Sequence, residues 1–89
     1  MKNKIAVVTG GTNGIGLETA RALARMGEDV HLVGRNQDRI DAAVASIRAS
    51  AGAARVRGWK ADLSLQAELR DLAPRLLAEL PRIDVLVNN

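Results

Sequence analysis

Four short apolar runs alternate with three stretches of helical period, and this alternation limits the fold more than any other feature of the chain. Lys4-Ile5-Ala6-Val7-Val8-Thr9 is apolar on both faces, the pattern of a strand buried inside a parallel sheet. Val30-His31-Leu32-Val33 is a second such run, Val56 to Ala61 a third and weaker one, and Ile83 to Asn88 a fourth. Between the first two runs, Ile15, Thr19, Leu23 and Met26 recur at helical spacing, and Gly27 follows as a stop. Asn36 stands where it would cap a second helix, with Asp38 in its first turn and Ile40, Ala43, Val44 and Ile47 on one face; Gly52 lies just past its end. Ser64 stands as the N-cap of a third helix, whose stripe is Leu65, Leu69, Leu72, Leu76 and Leu80. Pro74 inside that stripe predicts a kink or a restart, and Pro81 ends it. The order is therefore βαβαβαβ with short links and no repeat. It predicts an α/β fold, a doubly wound parallel sheet with helices on both faces and crossovers of one hand.

Thr9-Gly10-Gly11-Thr12-Asn13-Gly14-Ile15-Gly16 joins the first strand to the first helix. Four glycines in eight residues are entropically costly. They suit a loop that must bring backbone N–H groups of a helix N-terminus close to a phosphate. In that reading Gly10 allows the tight turn, Gly14 lets the backbone approach a pyrophosphate, and Gly16 lets the helix pack closely on the strand. Two other phosphate motifs fail. Gly11 and Gly16 have P-loop spacing, but Leu17 and Glu18 stand where Lys and Ser or Thr are required. A GxGxxG pattern beginning at Gly14 needs a third glycine where Thr19 stands. A glycine-rich turn with no ligand is the bland alternative.

Composition narrows the partners. The 89 residues carry a net charge of +3, but the basic residues are scattered and Trp59 is the one aromatic, so no base-stacking platform exists and nucleic acid is not expected. Cysteine is absent, which excludes disulfides and thiolate chemistry and fits a reducing compartment. The basic start Met1-Lys2-Asn3-Lys4 precedes only four apolar residues, short of the roughly 7–15 of a signal peptide. No stretch nears the roughly 20 apolar residues of a membrane span. These features predict a cytoplasmic protein with no membrane partner. His31, alone in an apolar strand, reads as structural, and Trp59 as packing.

Three motifs in order resemble the short-chain dehydrogenase/reductase family. Thr9 to Gly16 matches its TGxxxGxG; Asp62-Leu63 after the third strand matches its adenine-side Asp; Asn88-Asn89 after the fourth matches the start of its NNAG. The resemblance spans the whole chain, and only about the first third of a typical member. It implies a Rossmann-like sheet, of which this chain supplies the first half with strand order 3-2-1-4, out of the usual 3-2-1-4-5-6. It implies a cofactor site made of Gly10, Thr12, Asn13, Gly14, Ile15 and Gly16, with Asp62 meeting the adenine amino group and Leu63 giving a backbone contact. Asn88 and Asn89 would tie the fourth strand to the glycine loop and approach the nicotinamide-side ribose. Turn chemistry is the alternative for Asp62 and for both asparagines.

The cofactor expected is NADP (NADPH). In such folds an acidic residue at the end of the second strand hydrogen-bonds the ribose 2′-hydroxyl of NAD, and a basic one accommodates the 2′-phosphate of NADP. Here that end reads Val33-Gly34-Arg35-Asn36. Gly34 removes the carboxylate, and Arg35 offers a planar fork of donors. Arg39, one turn on, is either a second phosphate contact or a solvated helix residue, and Asn36 completes the set. The narrower likeness of Gly34-Arg35-Asn36 is to retinol dehydrogenase-like reductases.

In the family, catalysis uses a Tyr-x-x-x-Lys pair, a Ser, and an Asn on the helix after the fourth strand, with the Tyr as acid or base. The chain has no Tyr, and its lysines are Lys2, Lys4 and Lys60, so no catalytic residue is carried over. A fourth strand left as an apolar edge is a liability. Both features predict that residues 1–89 are the cofactor-binding piece of a longer NADP(H)-dependent oxidoreductase acting on a small carbonyl or alcohol, inert and poorly stable by itself. Family members are often dimers or tetramers, so a homo-oligomer is an open expectation. The second reading is a non-catalytic nucleotide-binding or interaction module.

Overall fold

The computed structural model describes residues 4–12, 14–52, 55–62 and 64–88. Seven elements follow in order: β1 (Ile5–Thr9), α1 (Gly14–Arg25), β2 (Asp29–Gly34), α2 (Gln37–Ala51), β3 (Val56–Lys60), α3 (Gln66–Glu79) and β4 (Val85–Asn88). All pairings are parallel, and the sheet order is β3-β2-β1-β4, as expected. Val7 lies opposite His31 on β2 and Leu86 on β4, and His31 lies opposite Arg57 on β3. This register divides the side chains between two faces.

On one face, Val8, Val30, Leu32 and Val56 pack against Ala20 and Ala24 of α1 and Ala43 and Ile47 of α2. On the other, Val7, Val33 and Trp59 pack against Leu72, Leu76 and Leu80 from α3 and its C-cap. The sheet is thus covered on both sides, two helices against one, and each side has its own apolar core. Burial of this kind, at roughly 25 cal/mol per Å² of apolar surface, is the main favourable term.

The face of α1 differs in part from the one expected, for Thr19 and Leu23 are partly buried but the two ends of that stripe are not. Ile15 is 79 % exposed and Met26 71 %, while Gly16, Ala20 and Ala24 are buried. Val8 and Leu32 lie below α1, where Ala20 and Ala24 are buried with them and Leu17 and Leu23 are partly buried against the same core. Arg21 reaches across to α2, where its Nη1 donates to the hydroxyls of Ser46 (3.1 Å) and Ser50 (2.9 Å). Gly27 ends the helix as expected. Its φ of 86° lies in the left-handed region, and the Gly27 and Glu28 N–H groups donate back to the carbonyls of Ala24 and Leu23.

Two expectations for α3 are also corrected. Leu65, not Ser64, occupies the N-cap, and it makes no side-chain cap bond. The Ser64 hydroxyl is already committed to Asp62 Oδ1, at 2.6 Å. The helix also runs unbroken through Pro74. Proline removes one backbone bond, but buried Leu72 and Leu76 anchor the helix on either side of it. Leu65 and Leu69, at the amino end of the expected stripe, are largely exposed.

His31 is buried on β2. The Trp59 indole N–H donates to its Nδ1 at 2.9 Å, and Asp29 Oδ1 lies 3.2 Å from Nε2 without aligned hydrogen-bond geometry. Both residues are structural, as read from the sequence. Arg57 lies over the Trp59 ring at 4.2 Å and is paired with Glu79 of α3, whose carboxyl it holds below its ordinary pKa.

Candidate functional site

The carboxyl ends of all four strands open on one side of the sheet. Between β1 and the strands beside it the chain reverses direction of travel across the sheet, β1 to β3 running one way and β4 lying on the far side. Such a switch point leaves a crevice at the strand ends. Here it is a cleft of about 630 Å³. That size suits a cofactor-sized ligand.

Its floor is backbone and small side chains. Thr9, Gly10, Val33, Gly34 and Ala61 line it, each at or next to a strand end. Gly10 has φ 66°, a conformation glycine adopts without strain, and this turn brings its N–H to the Val33 carbonyl at 3.0 Å. The Ala61 N–H donates in turn to the Gly34 carbonyl at 2.8 Å. The ends of β1, β2 and β3 are therefore locked to one another by backbone bonds that extend the ladder.

The walls carry the polar groups. Arg35, Asn36 and Arg39 stand on one side, Asp62 on the next, and Asn88 and Thr12 toward β1. Arg35 follows β2 directly and is exposed, which leaves its guanidinium free to turn toward a ligand. The Asn36 side chain caps α2: its Oδ1 accepts from the Arg39 N–H at 3.1 Å. That bond presents Arg39 to the cleft from the first turn of the helix.

Asp62 is held by its neighbours. Its Oδ1 accepts from both the hydroxyl and the N–H of Ser64, and its own N–H donates to Glu68 Oε1 at 2.9 Å. The Ser64 bonds keep its carboxyl below the ordinary carboxylate value, with the Arg35 charge adding a little. The turn role and the cleft position expected as alternatives thus coexist in one residue. Asn88 Oδ1 accepts from the Thr9 hydroxyl at 3.3 Å, and the same hydroxyl donates to the Val87 carbonyl at 3.2 Å, which ties β4 to the start of the glycine loop.

The residues expected to form the site divide into three groups. Gly10, Thr12, Arg35, Asn36, Arg39, Asp62 and Asn88 come together on the cleft. Gly14 and Ile15 lie at the amino end of α1 on a neighbouring open groove with Glu18, Thr19 and Ala22, and Gly16 is buried beneath the helix, the close-packing role assigned to it. Asn13, Leu63 and Asn89 lie outside the described residues. Val33 and Ala61 were not singled out in the sequence. Their signal is positional: Val33 is the penultimate residue of β2 and Ala61 directly follows β3, both at strand ends that face the crevice.

The α1 N-terminus faces the glycine turn, and its first N–H groups have no partner within the helix, as at any helix start. Together with two arginines and no carboxylate at the β2 end, this donor set suits a phosphorylated, anionic ligand. Among the described residues no three His, Asp or Glu side chains converge as metal ligands, and no helix is long and apolar enough to cross a membrane.

Known proteins are similar to this chain in sequence and fold. Retinol dehydrogenase 12 of Mus musculus is 41 % identical over 86 residues, which are 97 % of this chain and 27 % of that protein. L-sorbose reductase of Gluconobacter frateurii, solved with NADPH and L-sorbose, superposes with a TM-score of 0.88 at 31 % identity, over all of this chain and 34 % of the reductase. An actinorhodin polyketide ketoreductase solved with NADPH gives 0.87 at 30 % identity, again over 34 % of its length. The chain spans about a quarter to a third of the proteins it matches. The short chain dehydrogenase family matches residues 4–89, and with the parallel β3-β2-β1-β4 sheet and the strand-end cleft this settles the family: the chain belongs to the short-chain dehydrogenases.

Proposed function

We propose that residues 1–89 are the N-terminal, cofactor-binding part of an NADP(H)-dependent oxidoreductase that interconverts a small carbonyl compound and its alcohol. The observation that carries the reading is the end of β2, where Gly34 presents no side chain and Arg35 stands on the cleft wall. An NAD-type acid is missing at that place, and a guanidinium matches a 2′-phosphate in shape and charge. Arg39, held by the Asn36 cap, supplies a second positive group. The NADPH complexes of the two similar reductases point the same way.

In this reading the pyrophosphate lies on the glycine turn, with Gly14 and Ile15 at the start of α1, and Asn13 is a further expected contact. Asp62 and Leu63 receive the adenine. Asn88 and Asn89 approach the nicotinamide-side ribose, with Thr9 holding Asn88 in place. Hydride transfer is the chemistry the cofactor supplies when bound. This chain binds and orients; it has no Tyr, and the acid–base work falls to residues beyond it, so residues 1–89 are inert by themselves. A cytoplasmic setting and a small-molecule substrate belong to the same proposal.

The test is a direct titration of the full-length protein with NADPH and with NADH, followed by nucleotide consumption against a panel of aldehydes and ketones. The proposal expects NADPH to bind at least about tenfold tighter, the worth of one or two charge-assisted contacts. Tighter binding of NADH would refute the cofactor assignment.

A further inference from the structure

One backbone position on the cleft is closed to any side chain. A β-carbon at Gly34 would lie 2.8 Å from Cγ2 of Thr12 and 3.2 Å from Cγ1 of Ile40. Carbon atoms pack best at about 3.5–4.0 Å, so the first contact is a clash. Neither neighbour yields easily. Ile40 is fully buried on the inner face of α2, and Thr12 is β-branched, half-buried and stiff at χ1. The strand cannot shift either. Gly10 N–H bonds the Val33 carbonyl on one side, and Ala61 N–H bonds the Gly34 carbonyl on the other.

We propose that Thr12 is a specificity-determining residue: its methyl group sits in the space a β-carbon at position 34 would need, and so keeps the end of β2 free of an acidic side chain. The consequence for cofactor choice rests on the NADP reading above; the steric coupling stands on the contacts alone. An Asp or Glu at 34 would carry a carboxylate toward the ribose only by pushing Thr12, and the glycine turn with it, away from its seat. A preference for NAD therefore cannot be reached by changing Gly34 alone. It requires that Thr12 also lose its methyl.

The test is a double-mutant cycle in the full-length protein, Gly34→Ala and Thr12→Ser singly and together, read by thermal melting without cofactor and by NADPH titration. Serine keeps the hydroxyl and deletes Cγ2. With Thr12 intact, Gly34→Ala is expected to lower Tm by several degrees and weaken NADPH binding by about tenfold, the usual scale of overpacking. In the Thr12→Ser background both effects should shrink to about a third, the remainder coming from Ile40. Expression failure of Gly34→Ala that Thr12→Ser repairs is the same coupling; failure in both backgrounds, or additive effects in both readouts, overturns it. Gly34→Asp completes the test. It should shift preference toward NADH only when combined with Thr12→Ser, and an equal shift with Thr12 intact overturns the specificity role. A wild-type protein that prefers NADH refutes the NADP reading, while the cofactor-free melting cycle still decides the contact.

Discussion

His31 shows what a single buried residue does to the pH dependence of the fold. Because the Trp59 N–H donates to Nδ1, the imidazole proton sits on Nε2, facing Asp29. Burial is the largest influence and lowers the pKa below the ordinary 6.5; Asp29 opposes it, Arg57 reinforces it and Glu79 opposes it. A proton therefore binds the unfolded chain more readily than the folded one just below pH 6.5, so stability falls as pH drops through that value. Urea midpoints measured from pH 7.5 downward should show this decline, and His31→Gln, whose amide oxygen still accepts from Trp59, should flatten it. A variant with an unchanged pH profile would contradict the account. Trp59→Phe should cost about 1–3 kcal/mol, because it leaves Nδ1 buried without a donor. Each of these residues reads as structural in the sequence. Their pairing does not, since it depends on the β2–β3 register that sets His31 beside Arg57 and Trp59.

At the scale of elements, periodicity located every strand and helix but misjudged part of two helix faces: Leu23 on α1 and Leu72, Leu76 and Leu80 of the α3 stripe pack on the core as expected, while Ile15, Met26, Leu65 and Leu69 do not. Apolar size suggested Ile15 and Met26 for the buried side of α1; the small residues Gly16, Ala20 and Ala24 are its most buried positions, over Val8 and Leu32, with Leu17 and Leu23 partly buried against the same core. A pattern of hydrophobicity cannot show how close two elements come. The same reasoning predicts that Ala20→Leu destabilises by about 1–3 kcal/mol despite its better hydrophobicity, measured by denaturant unfolding. In α3 the expectation was a kink or a restart at Pro74; the restart does not occur, because the leucines on either side anchor one continuous helix despite the lost bond. Since the helix is continuous there and Pro74 is exposed, Pro74→Ala should stabilise by up to about 3 kcal/mol. Loss of stability would mean that the proline conformation is built into the fold. Ser64 was legible as a capping residue, but its hydroxyl and its N–H both donate to the side-chain carboxylate of Asp62, two residues earlier, and not to the helix backbone.

For the whole molecule, the family and the strand order were legible because the glycine turn, Asp62 and Asn88 stand at the ends of β1, β3 and β4, and a parallel sheet gathers strand ends on one side. What the motifs could not convey was the locking of those ends to one another, or the exclusion of a side chain at Gly34 by Thr12. Among the exposed apolar side chains, Leu86 stands on the edge strand β4 and is 65 % exposed. An apolar sheet edge invites pairing with another chain. Residues 1–89 by themselves should accordingly associate as concentration rises, and Leu86→Lys should reduce this in sedimentation experiments; a monomer at every concentration would contradict it. The central claim is that Arg35 reads a 2′-phosphate, and the comparison of Arg35→Ala with wild type in titrations of the full-length protein tests it most directly. Loss of NADPH affinity by about tenfold or more, with NADH affinity unchanged within about twofold, is the predicted result. Equal loss for the two nucleotides would contradict it.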